Sequence, residues 1–455
     1  MMQPLTLAQW LSAPRPPQTL IAWQEAHSWT LAHLRYDVAH LLNNLQQQPG
    51  ERWALCFDNS YLFLVALLAT LHAGKTPVLP GHSRAALLHE QRALFDGILS
   101  DKPLPWRGPL PWRGPLRVIQ SAMATASHEY AFPAIGDNAC IELFTSGSTG
   151  EPKRISKPVK SLDREAALIA AHYAGRLTGS RVVASVAPQH LYGLTFRLFL
   201  PMALGLPLHA AMIEYAEQLA ALSHDHHYLF ISSPAFLKRL DYRLTPPPVA
   251  MILSAGGKLP WQDAVHTANW FNTWPDEIYG STESGVIACR QRLQDNAPWQ
   301  PFPGIRFQPQ GNTIRLFSPL IADDNGLVIA DILHFNESGQ FQLAGRRDRV
   351  VKIEEKRISL SEVEYRLLQL DGILEAAVLP ITRGSRQSVG ALLVLDHDAR
   401  RRWGKSQELQ WRKALRASLE PVAIPRYWRV VDEIPVNSMN KRVYAQLQEL
   451  FHEAP

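Results

Sequence analysis

Residues 143–153 read LFTSGSTGEPK, and no other stretch of this 455-residue chain restricts the fold so strongly. The apolar lead-in of Ile141, Leu143 and Phe144 predicts a strand, which gives way to a run of Thr, Ser and Gly and then to Pro-Lys. Glycine at positions 147 and 150 lets backbone N–H groups close around an anion. Thr145, Ser146, Ser148 and Thr149 add hydroxyl donors, and Lys153 adds a point charge. The chemistry implied is phosphate binding where a strand opens into a loop. It is not a Walker loop, because GxxxxGK[ST] spacing is absent and Arg154 follows Lys153. A flexible Ser/Gly linker is the competing reading. The apolar strand before it and the Pro-Lys after it argue against a linker.

A chain of this length is long for one core, so two or more domains are expected. Hydrophobic residues at 46% and charged residues at 19% suit a globular protein. A net charge of +5 suits anionic ligands such as nucleotides but is too diffuse to predict nucleic-acid binding. Cys56, Cys140 and Cys289 are widely separated and lack CxxC spacing, which offers neither a disulfide framework nor a zinc site and fits a reducing cytoplasm. The N-terminus has no basic start followed by an apolar core. The most apolar run, residues 61–71, has about half the length that a bilayer crossing needs and predicts a buried helix, so no membrane span is expected.

Residues 1–140 alternate helical and strand-like patterns, with a helix over 31–45, a strand over 53–57 and a helix over 61–72, as an open α/β layer would. PLPWRG occurs at 103–108 and again at 109–114, too short a repeat for a solenoid and read as a duplicated surface loop. Beyond the phosphate stretch, a helix is expected over 162–173 and strands over 181–186, 228–232 and 249–254. The cluster HDHH at 224–227 invites a metal reading, but adjacent loop residues without distant ligands are read as solvated surface. From 298 to 335 short strands separated by Gly and Asn predict a small β-rich subdomain. The last hundred or so residues mix strands (373–379, 391–395) and helices (361–370, 409–418) beyond a charged GRRDR hinge, which predicts a separate α+β domain.

Five further stretches carry polar chemistry: PQHLYG (188–193), SAGGKLP (254–260), YGSTESG (279–285), IADILHFNESGQFQLAGRRDR (329–349) and, near the end, IPVNSMNKRVYAQL (434–447). Together with the phosphate stretch, and in the same order, these resemble the motifs of the adenylate-forming superfamily, which comprises acyl-CoA and aryl-CoA synthetases, luciferases and nonribosomal adenylation domains. The resemblance covers roughly residues 140–447. It implies a large N-terminal α/β domain (1–345) with a β-rich subdomain and a small mobile α+β C-terminal lid (346–455). It also implies ATP and Mg2+ as cofactors, a carboxylic acid substrate, and coenzyme A or an acyl carrier protein as acceptor.

By the same resemblance, residues 145–150 and Lys153 hold phosphate, Glu283 holds Mg2+, Thr282 donates to the α-phosphate, and Tyr279 with Gly280 lies against adenine. Gly256 and Gly257 contact the adenine, and His190, Gly193 and Ser254 border the acid pocket. Asp331 holds the ribose hydroxyls, Arg346 contacts ribose and phosphate, Asp348 is the hinge, and Lys441 neutralises charge as pyrophosphate leaves. Amino-acid-activating members pair the substrate ammonium with an Asp near PQHLYG. No carboxylate occurs between Pro188 and Phe196, so an acid without an α-amino group is expected. Three positions depart from the pattern: Asn440 replaces a Gly, Tyr444 replaces an Arg, and Glu355 replaces the Gly that in CoA-forming relatives opens the pantetheine tunnel. The last departure, with the basic segment RRRWGK at 400–405, favours a carrier-protein acceptor over free CoA. A luciferase-like oxidase would share every motif, with oxygen consumption as the discriminator, whereas a nucleotide-binding regulator without catalysis is disfavoured by retention of Lys153, Glu283, Asp331 and Lys441.

Overall fold

Two sheets organise the first part of the chain. The computed structural model describes residues 3–104, 116–117, 130–146, 152–311, 313–346, 349–353, 356–383, 386–416, 418–436 and 442–451. They divide into two units, the first formed by Met1–Ala297, Pro301–Ile305 and Phe317–Gly326, the second by Pro298–Gln300, Arg306–Leu316 and Leu327–Pro455. In the first unit, one sheet is ordered Leu116–Arg117, Gly97–Ser100, Arg52–Cys56, Thr76–Leu79, Cys140–Ser146, Pro152–Pro158. Its neighbours pair in parallel except the last two, which form an antiparallel pair on either side of the phosphate stretch. The other sheet includes, in order, Gly285–Gln291, Asp276–Ser281, Val249–Ser254, Tyr228–Ser232, Arg181–Ala184, Leu208–His209, Leu20–Gln24, His27–Thr30. It is parallel through its middle and antiparallel at both ends.

Parallel sheets need cover on both faces, so their strands read as continuous apolar runs. Tyr228–Ser232 is accordingly buried at every residue. The apolar run near residue 61 folds as the helix Ser60–His72, in which every residue except Leu62 is buried. A helix apolar on all sides has to lie inside the protein, and among the described residues no helix is long and apolar enough to cross a membrane. The Asn59 side chain caps it, accepting from the Leu62 N–H at 3.0 Å.

The long helix Val159–Leu177 links the last strand of the first sheet to Arg181–Ala184 of the second. Its Arg176 donates to both oxygens of Asp276 at 3.0 and 2.8 Å, fixing the helix to the start of the strand that leads to YGSTESG. Near its first turn, Asp163 accepts the Leu7 N–H at 2.8 Å and thereby fastens the N-terminal segment. Burial pushes the Asp163 carboxyl up to about 6, with the Leu7 N–H opposing the shift. A carboxyl raised in the folded state contributes stability below its unfolded value, and that stability is lost as pH rises through about 6. Asp163→Asn keeps an acceptor for Leu7 but cannot ionise. Its melting temperature relative to wild type should therefore rise by a few degrees between pH 5 and pH 7.5, and a flat difference would show that Asp163 carries no such cost.

The second unit contains the pairs Asp331–Phe335 with Phe341–Arg346 and Val350–Ile353 with Lys356–Ser359, and a three-stranded sheet of Ile373–Arg383, Arg386–Leu395 and Tyr427–Val430. Both faces of that sheet are covered. Val378, Val389, Ala391 and Leu393 pack with Val363 and Leu367 of the helix Leu360–Leu367 and with Trp411 of the helix Lys405–Leu415. Ala377, Leu379 and Leu392 point the other way, against Ile434, Leu447 and Phe451. Most of the PLPWRG repeat, the hinge position Asp348, Glu355 and Asn440 lie outside the described residues.

Candidate active site

The phosphate stretch begins as a strand because Ile141, Leu143 and Phe144 are buried in the first sheet. Thr145 and Ser146 are its last residues, and the chain returns with Ser146 opposite Pro152 and Thr145 opposite Lys153. Gly147, Ser148, Thr149 and Gly150 lie outside the described residues. The returning strand presents Lys153 at the surface, where its Nζ donates to Glu283 Oε1 at 3.0 Å. Two stretches far apart in sequence, LFTSGSTGEPK and YGSTESG, therefore meet through a lysine and a carboxylate.

Glu283 stands in the turn between Asp276–Ser281 and Gly285–Gln291, with Thr282 beside it. The turn is built from its own hydroxyls: the Ser284 N–H donates to Ser281 Oγ and the Ser281 N–H to Ser284 Oγ, each at 3.1 Å. Gly285 has φ +72°, a left-handed geometry that a side chain would strain. Burial pushes the Glu283 carboxyl up, but the hydrogen bond and charge of Lys153 outweigh it and hold the carboxyl below its ordinary range, so it is ionised at neutral pH. Beneath the turn, Lys157 Nζ donates to the Glu283 carbonyl oxygen at 2.8 Å. Motif reading passed over Lys157, although period-two alternation places residues 153, 155 and 157 on one face of the strand.

Tyr279 and Gly280 lie near the end of the strand that enters this turn, Tyr279 half-buried and Gly280 exposed. Gly256 and Gly257 are exposed just past the strand Val249–Ser254. The loop that contains them is fastened by a buried ion network. Arg292 donates to the Leu259 carbonyl oxygen at 2.8 Å and to Glu277 at 2.9 Å, while Arg290 donates to Glu277 at 2.8 Å.

Adjacent parallel strands end at Ser232 and Ser254, which are in register, and Ser185 follows the next strand with its hydroxyl 2.9 Å from that of Ser232. Open α/β sheets bind ligands at the carboxyl ends of their strands. Ser254 Oγ is buried there without a hydrogen-bond partner among the described residues. PQHLYG folds as a turn into the short helix Leu191–Gly193, followed by a π-helical stretch Leu194–Phe199. Gly193 is required by close packing, since a Cβ there would collide with the Ala187 carbonyl oxygen. The His190 ring lies over Gly81, and Gln189 donates to the Phe57 carbonyl oxygen, which joins this segment to the end of the other sheet.

The remaining sequence-derived positions belong to the second unit. Asp331 opens the strand Asp331–Phe335 and is paired in register with Arg346. Lys441 lies outside the described residues, but the following Arg442 donates to Glu364 at 3.1 Å. The same carboxylate receives both terminal nitrogens of Arg349, at 2.6 and 2.8 Å, and the Val378 N–H at 2.7 Å. Sequence reading assigned no role to Glu364. Elsewhere, the HDHH turn holds no metal-ligand cluster, nor is there one anywhere else among the described residues.

The AMP-binding enzyme family model matches residues 12–319, and the chain belongs to that family. A 4-coumarate–CoA ligase of Halorhodospira halophila is 27% identical over 65% of this chain and 73% of its own length. The phosphinothricin tripeptide synthetase PhsC of Streptomyces viridochromogenes is 25% identical over 89% of this chain and 41% of that protein. Among solved structures, ATP-bound MatB from Rhodopseudomonas palustris superposes with a TM-score of 0.78 at 19% identity, covering 98% of each chain. The o-succinylbenzoate CoA synthetase MenE of Bacillus subtilis, in complex with its acyl-adenylate intermediate OSB-AMP, gives 0.76 at 19% identity, again covering 98% of each chain. The fold is that of the adenylate-forming enzymes.

Proposed function

We propose that this enzyme activates a small aryl or acyl carboxylic acid with ATP and passes the acyl group to a phosphopantetheine thiol. The observation that carries the reading is the 3.0 Å pairing of Lys153 with Glu283, which joins the phosphate stretch to a carboxylate turn. The substrate carboxylate attacks the α-phosphorus of ATP, the bond to the β-phosphate oxygen breaks, and acyl-AMP and pyrophosphate form. Lys153 and Thr282 hold phosphate oxygens, and Lys441 neutralises the charge that develops as pyrophosphate leaves. Asp331 and Arg346 hold the ribose. In the second step the thiol attacks the acyl carbon, AMP leaves, and rotation about Asp348 exchanges the lid faces between the two steps.

Glu283 fits Mg2+: its carboxylate is ionised, it is partly open to solvent, and it is the hard oxygen donor that Mg2+ prefers. Mg2+ bound there would offset phosphate charge. The serines at the strand ends and the absence of a carboxylate between Pro188 and Phe196 favour an acid without an α-amino group. Glu355 at the tunnel position and the basic residues Arg400, Arg401 and Arg402 favour an acidic carrier protein over free CoA as acceptor.

Pyrophosphate release, followed across benzoic, cinnamic and fatty acids and then amino acids, tests the first step. One of the non-amino acids should stimulate release well above the rest, and stimulation by amino acids alone would overturn the assignment. With that acid, thioester formation on a phosphopantetheinyl carrier protein should exceed that on CoA and should fall with salt. Faster transfer to CoA would reverse the order of acceptors.

A further inference from the structure

Lys157 and Glu165 are two buried titratable residues that no motif includes. Lys157 is 5% exposed and Glu165 is 3% exposed. Both lie beneath the Glu283 turn and hold it at two points. Lys157 donates to the Glu283 carbonyl oxygen at 2.8 Å, and Glu165 Oε1 accepts the Val286 N–H at 2.7 Å. Gly285 makes room for this carboxylate, since a Cβ there would lie 2.7 Å from Glu165 Oε1. The second oxygen of Glu165 accepts from Thr195 Oγ1 at 2.9 Å, in the π-helical stretch that follows PQHLYG.

We infer that Lys157 and Glu165 are positioning residues that set the Glu283 turn for magnesium-bound nucleotide and tie it to the acid-pocket segment. This rests on the reading of Glu283 as the magnesium carboxylate. The strand Pro152–Pro158 presents Lys153 to the side chain of Glu283 and Lys157 to its main chain, so one strand fixes both where the carboxylate sits and where it points. Hydrogen bonds from an ammonium are charge-assisted and shorter than neutral ones, which suits a loop that must not relax when phosphate charge arrives. Burial lowers the Lys157 pKa, and the facing charges of Glu165 and Glu283 oppose that shift. Burial likewise raises Glu165, opposed by the Lys157 charge, the Val286 N–H and the Thr195 hydroxyl. Without the Lys157 charge, the buried Glu165 carboxyl keeps only the Val286 N–H and the Thr195 hydroxyl to offset its burial.

The test uses the full chain without acid and measures affinity for ATP calorimetrically, with Mg2+ and with EDTA, in Lys157→Met, in the double variant Lys157→Met/Glu165→Gln, and in Glu283→Gln. Partners of metal ligands typically change metal affinity by about 10- to 100-fold, so Lys157→Met should weaken binding with Mg2+ by about tenfold or more and leave binding in EDTA unchanged. In the nucleotide-free protein, the Val286 amide of Lys157→Met should exchange hydrogen faster. The double variant removes both buried charges and should recover its melting temperature without recovering the Mg2+-dependent affinity. Recovery of affinity together with stability would reduce the pair to a structural role, and wild-type affinity in Lys157→Met would also overturn the inference. If Glu283→Gln itself left the Mg2+ dependence untouched, the reading of Glu283 would fail and the inference with it. If Glu283→Gln weakened binding and Lys157→Met did not, only the inference would fail.

Discussion

Glu283→Gln should lower the rate of acyl-adenylate formation by about 10²-fold or more, since a preorganised electrostatic contact at reacting phosphate is lost. Gln fills the same volume, so the turn held by Ser281, Ser284 and Gly285 is kept. What disappears is one negative charge that pairs with Lys153 and that, in the proposed function, also holds Mg2+. The Lys153 ammonium, 3.0 Å from Oε1 in the wild type, then faces a neutral amide, so its position relative to the phosphates loosens as well. The two effects act in series and should appear in kcat as well as in the Mg2+ concentration needed for half-maximal rate. ATP–pyrophosphate exchange with the best acid, followed over a Mg2+ titration, measures both. An exchange rate within a few-fold of wild type at all Mg2+ concentrations would remove Glu283 from the chemistry.

Lys441→Ala should slow the same exchange by about 10²-fold or more while changing ATP affinity little, because a donor aimed at developing charge acts on the transition state rather than the ground state. The expectation rests on the role proposed above for Lys441 within IPVNSMNKRVY. Measuring kcat and the apparent KM for ATP separates the cases. A raised KM with kcat unchanged would make Lys441 a binding residue, and no change in either would dismiss it. Thioester formation from supplied acyl-AMP should survive the substitution, which sets it apart from general damage to the lid.

Much of the architecture was legible because strong periodicities leave few choices. The all-apolar run near residue 61 folds as a buried helix, and the apolar runs over 228–232 and 249–254 are central parallel strands. Boundaries were less legible where polar residues continue an element on its exposed side. The helix expected over 162–173 extends over Val159–Leu177, and the strand expected over 373–379 continues as Ile373–Arg383. The convergence of Lys153 and Glu283 could be expected only through resemblance, since nothing local in either stretch points to the other. Lys157 and Glu165 had a local signal that went unused. Glu165 falls among Leu162, Ala166, Ile169 and Tyr173 on the apolar stripe of its helix, and a carboxylate in such a stripe calls for a buried partner. Its partners, the Val286 N–H and the Thr195 hydroxyl, come from distant stretches and need the fold to be found.

Glu364 ties distant parts of the second unit together. Its carboxylate receives Arg349, which follows the proposed hinge, and Arg442, which follows the proposed catalytic lysine. The Arg349 guanidinium also stands 5.1 Å from the centre of the Tyr444 ring. Two points separated by most of the unit's sequence are thereby bolted to one another. A crank and its handle fixed on a common shaft have a single degree of freedom. In the same way, Arg349 and Arg442, held on one carboxylate, must follow the helix Leu360–Leu367 that carries it as a single piece.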